Sequence, residues 1–198
     1  MGKTETFVIA FGAIGLIVFL CYLAARRIDQ EWQALLATVA SRTGGSIGPH
    51  RSGAWDSLEF KVDGVTGLME RRTRGKAPGG WTEMVVTFRG LGQSVADFTL
   101  GTCPPNRTPA DYAEYMSSML ETPFAVFGNM VGTCTPEAGQ RLASVLAGEA
   151  SAAKLEIAFE EGELRLVWET KPPSADELVA MVKTASEILR ALSRSAFV

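Results

Sequence analysis

Residues 155–168, LEIAFEEGELRLVW, carry the clearest fold signal in the chain. Apolar residues occupy every second position in residues 155–159 and again in residues 164–168, and Glu161-Gly162 lies between the two runs. Alternation with a period of two is typical of strands that bury one face, and a short glycine-containing turn favours a hairpin. This stretch therefore predicts two antiparallel strands.

A second hairpin is predicted earlier in the chain, where Asp63-Gly64 separates residues 55–62 from residues 65–73. Further strands are predicted at residues 81–89, 95–100 and 124–131.

Three helix starts punctuate these strands. Thr108-Pro109 and Thr135-Pro136 each place a capping threonine before a proline at the first helical position. Ser174 and Glu177 form a capping box before the amphipathic residues 178–192. The pattern predicts an α+β fold with a mostly antiparallel sheet and helices packed on one face.

The N-terminal segment has a different character from this domain. Residues 7–25, FVIAFGAIGLIVFLCYLAA, contain no charge over 19 positions. Such a helix is about 28 Å long, close to the bilayer core of about 30 Å. A cleaved signal peptide is the alternative. However, the apolar region of a signal peptide is usually shorter than this run of 19 residues, and cleavage after Ala25 would put Leu23 at a position of the cleavage site that requires a small residue. We expect an uncleaved transmembrane anchor in residues 1–27.

An amphipathic helix is predicted to continue from the anchor through residues 28–45. Its apolar stripe consists of Ile28, Trp32, Leu35, Leu36 and Val39. Either the stripe packs on the protein's own domain, residues 46–198, or it forms a contact helix for another membrane protein subunit or a second copy.

Membrane orientation follows from a few basic residues. Lys3 lies on one side of the apolar segment, whereas Arg26, Arg27 and Arg42 follow it. Because Lys and Arg mark the cytoplasmic side, we expect a single-pass cell-membrane protein with a cytoplasmic domain.

Residue content argues against several chemistries. The chain has one histidine and three cysteines, too few for a histidine-assisted nucleophile or a clustered metal site. We therefore expect no catalytic residues, no metal, no cofactor and no small-molecule substrate. Nucleic acid is not an expected partner, because the net charge is −3 and the basic residues lack interleaved aromatics.

Two cysteines occupy similar local sequences, Gly101-Thr102-Cys103 and Gly132-Thr133-Cys134. As a thiol pair they could bridge or react; alternatively, both segments are simply turns of small residues that leave a strand.

The densest basic cluster is Arg71, Arg72, Arg74 and Lys76. It lies in the basic half of the chain, since residues 1–107 contain 12 Lys/Arg and 9 Asp/Glu whereas residues 108–198 contain 7 and 13. The cluster is either a solvated hairpin end or a contact for anionic lipid or an acidic protein surface.

These observations together predict a non-catalytic accessory, scaffolding or assembly subunit of a membrane protein complex. Two alternatives remain open: a membrane-bound enzyme that uses a thiol or an unrecognised chemistry, and an extracytoplasmic binding domain with a Cys103–Cys134 disulfide.

Overall fold

The computed structural model describes residues 3–48, 56–74, 81–92, 96–147, 154–170 and 173–193. It contains four helices within these ranges: α1 (Lys3–Thr43), α2 (Pro109–Leu120), α3 (Pro136–Leu146) and α4 (Ala175–Ser193). The strands are β1 (Ser46–Gly48), β2 (Ser57–Val62), β3 (Val65–Arg74), β4 (Trp81–Phe88), β5 (Phe98–Thr102), β6 (Ala125–Phe127), β7 (Met130–Gly132), β8 (Leu155–Glu160) and β9 (Glu163–Thr170).

All nine strands belong to one sheet, in the order β1-β2-β3-β4-β9-β8-β5-β7-β6. Every neighbouring pair is antiparallel. The centre of the sheet joins distant parts of the chain, because β4 pairs with β9 in a register that sets Val85 opposite Val167. The predicted α+β class with a mostly antiparallel sheet is confirmed.

The two predicted hairpin turns have the backbone that their sequences require. Asp63 and Gly64 have φ values of 49° and 89°, and Glu161 and Gly162 have 51° and 77°. Two consecutive residues with positive φ match the right-handed twist of paired strands, and Asp-Gly is a favoured sequence for that turn.

The predicted helix starts are also present. Thr108 and Thr135 each accept a hydrogen bond from the backbone N–H three residues later. Ser174 and Glu177 form the reciprocal pair of a capping box: the Ser174 N–H donates to the Glu177 carboxylate at 2.7 Å, and the Glu177 N–H donates to the Ser174 hydroxyl at 3.3 Å.

Helices α1, α3 and α4 cover one face of the sheet. The main hydrophobic core contains residues of all three helices together with alternate residues of the strands, such as Met84, Val86 and Phe88 in β4. Helix α4 contacts both α1 and α3, so it lies in the middle of this layer.

Two details correct the sequence prediction. Residues 124–131 form two strands, β6 and β7, because the chain reverses at Gly128, whose φ is 62°. Helix α2 packs against β6 and β7 on the other face of the sheet, where Ala113, Cys103 and Val131 form a separate small cluster. Since adjacent strand residues point to opposite faces, Val131 joins this cluster while its neighbour Met130 joins the main core.

Helix α1 is continuous across the predicted boundary between anchor and amphipathic helix. In the part of the chain that the structure describes, no helix combines the length and the hydrophobicity needed to cross a membrane. The transmembrane segment at residues 7–25 therefore stays a prediction, and the side chains of residues 7–13 lie outside the described part.

Candidate functional site

A groove of about 520 Å³ opens on the sheet face opposite α1, α3 and α4. Helix α2 and the loop that follows it form one wall, and the floor comes from β4, β5, β8 and β9. This volume lies within the range of about 300–1,000 Å³ that is usual for ligand pockets.

The α2 wall is apolar. Tyr112, Met116 and Leu120 line the groove at a spacing of four residues, and Tyr115 and Met119 are exposed. At 100° per residue, all five side chains fall within one continuous arc of the helix surface. Most of the apolar stripe of α2 thus remains uncovered by the protein's own core.

Helix α2 is fixed to the sheet through a narrow contact. Ala113 is the one residue of this helix that is fully buried. The Ser117 hydroxyl donates to the Ala113 carbonyl at 2.7 Å and accepts from the Phe124 N–H at 2.8 Å, which holds the following loop against the helix. The wall is therefore positioned by few side chains. Within its apolar arc, Tyr112 packs against the small cluster and the Arg107 guanidinium lies 4.4 Å from the centre of the Tyr115 ring.

The floor of the groove carries charge. Glu83 of β4 lies directly opposite Glu169 of β9, and Glu156 of β8 lies one strand further along. Lys154 forms an ion pair of 2.5 Å with Glu169. Glu83 is only 9% exposed. Like charges directly opposite each other on neighbouring strands destabilise a sheet, and two basic side chains offset this repulsion: Lys154, which pairs with Glu169, and Arg72, which lies opposite Glu83 in the register of β3 and β4.

Among the described side chains, no group of three or more histidine, cysteine or carboxylate residues is arranged to hold a metal ion. The Cys103 thiol, which also lines the groove, donates to the carbonyls of Pro104 at 3.6 Å and Arg107 at 3.4 Å.

The structure separates the two cysteines of the predicted thiol pair. Both thiols are free and buried, Cys103 in the α2 cluster and Cys134 in the main core. Strands β5 and β7 are antiparallel, so the chain leaves them in opposite directions: the Cys103 N–H donates to the Asn129 carbonyl, and the Thr133 N–H to the Thr99 carbonyl.

This register places the Cys103 and Thr133 backbones about four residues apart along the strands, or roughly 14 Å. A disulfide requires Cα atoms within about 7 Å, so the described geometry does not accommodate a Cys103–Cys134 bridge. Burial also raises the pKa of the Cys134 thiol, which lowers its thiolate fraction and its reactivity.

The two arginines of the basic cluster whose side chains the structure describes do not share one surface. Arg71 points to the helix-covered face, where its guanidinium lies 5.4 Å from the centre of the Trp32 ring. Burial lowers the pKa of Arg71, and the nearby Asp29 carboxylate opposes that shift.

Arg72 points to the opposite face, where it pairs with Glu70 at 3.3 Å and lies opposite Glu83 in the strand register. The side chain of Arg74 and the whole of Lys76 lie outside the described residues. The two arginines that the structure places are thus divided between the faces of β3 by the alternation of the strand.

The predicted partner-contact stripe of α1 lies largely inside this protein. Trp32, Leu36 and Val39 are buried in the main core, and Leu35 packs against it. Ile28 is 44% exposed. From Trp32 onward the stripe therefore packs on the protein's own domain, which is one of the two alternatives that the sequence analysis left open.

The sequence analysis did not predict the groove. The sequence pattern that could have indicated the groove is the helical spacing of Tyr112, Met116 and Leu120. This spacing is equally typical of a helix packed in the core. The floor carboxylates lie on β4, β8 and β9. The β8–β9 hairpin was predicted from local sequence, whereas the pairing of β4 with β9 was not. Comparison of the chain with protein-family models, with curated proteins and with solved structures finds no match.

Proposed function

We propose that this protein is a membrane-anchored, non-catalytic accessory or scaffolding subunit of a membrane protein complex, attached through residues 7–25 of α1. The observation that supports the proposal is that α1 extends beyond the domain: every side chain in residues 14–31 is exposed. In residues 14–23 the exposed large apolar side chains are Ile14, Leu16, Ile17, Val18, Phe19, Leu20, Tyr22 and Leu23.

These side chains fill eight of the ten positions from 14 to 23, so they surround the helix instead of lining one side of it. Apolar surface in water is unfavourable by about 25 cal/mol per Å², and contiguous exposed patches of this kind mark contact with a membrane or a protein. A helix that is apolar on all sides is suited to lipid or to the interior of a helix bundle.

The C-terminal part of α1 packs on the domain and connects it to the exposed apolar segment. Trp32 is buried, and its indole N–H donates to the Asp56 carbonyl at 3.2 Å. Gln33 donates to the Asp56 carboxylate at 2.5 Å. Because the helix is continuous between the exposed apolar segment and these contacts, the domain would be held close to the membrane surface.

The proposed location is the cell membrane with the domain in the cytoplasm. Arg26 and Arg27 follow the apolar segment on the domain side, and only Lys3 precedes it. Lipid and other membrane subunits, or a second copy, are the proposed partners of α1.

Carbonate extraction of membranes that contain the full chain tests the anchor. The native protein should remain in the pellet, whereas Ile17→Lys combined with Leu20→Lys should release it, since each lysine near a bilayer centre costs about 3 kcal/mol. Gln30→Lys with Ala34→Lys is the matched control, because it adds the same charge to the same helix at exposed positions. Release of the native protein, or equal release of both double variants, would contradict the anchor.

Purification from native membranes in mild detergent tests the accessory role. Stoichiometric co-purification of other membrane subunits is expected. A protein that is isolated alone and that turns over a substrate would be an enzyme, contrary to this proposal.

A further inference from the structure

We draw no further inference here: the strongest candidate, the groove between α2 and the sheet, has an apolar wall, but nothing in the structure shows what covers it.

Discussion

Leu36 decides between the two interpretations of the α1 stripe. It lies in the main core with 0% exposure, whereas Ile28, two turns earlier on the same helix, is 44% exposed. Leu36→Ala removes buried methyl groups and leaves a cavity under α1, which costs about 3 kcal/mol in a well-packed core. Ile28→Ala removes a similar side chain mostly from solvent and should change the free energy of unfolding by about 0.5 kcal/mol or less.

Urea denaturation of the full chain in detergent, followed by tryptophan fluorescence, measures both variants. A loss of about 3 kcal/mol corresponds to a melting temperature lower by roughly 6–12 °C in a domain of this size. Equal stability of Leu36→Ala and the native protein would show that α1 does not dock on the sheet. The stripe would then be available to a partner, and the burial argued for Leu36 would be refuted.

Three further predictions concern the charge, capping and thiol groups. Arg71→Gln should destabilise the domain by about 1 kcal/mol through loss of its contact with an indole ring, while Arg72→Gln stays within about 0.5 kcal/mol; equal urea midpoints would contradict this difference. The Ser174 hydrogen bonds lower the pKa of Glu177 in the folded state, so their contribution is complete above the unfolded-state value near 4.5 and is lost as the pH falls through the folded-state pKa. Glu177→Ala should therefore cost about 1 kcal/mol at pH 7 and less in acid, and a pH-independent loss in melting experiments would refute the capping role of the carboxylate. Cys134 should react with a maleimide only on unfolding, since it is buried with a raised pKa; rapid labelling of the native protein, detected by mass spectrometry, would contradict its place in the core.

Local sequence determined the hairpin turns and the helix starts of this protein. Asp63-Gly64 and Glu161-Gly162 form turns because their backbones adopt positive φ next to strands of period two. Thr108, Thr135 and Ser174 begin helices because their hydroxyls accept nearby N–H groups. Each of these signals acts within a few residues, so it can be interpreted before the rest of the chain is placed.

Tertiary structure alone decided what these elements contact. The pairing of Val85 with Val167 joins β4 to β9 across most of the domain, and it brings Glu83 next to Glu169 in the floor of the groove. The apolar spacing of α2 is compatible with packing on either face of the sheet. In the same way, the apolar stripe of α1 is compatible with packing in the protein's own core or against a partner protein. Periodicity specifies which side of a helix is apolar but not which surface covers it, because that choice depends on long-range packing.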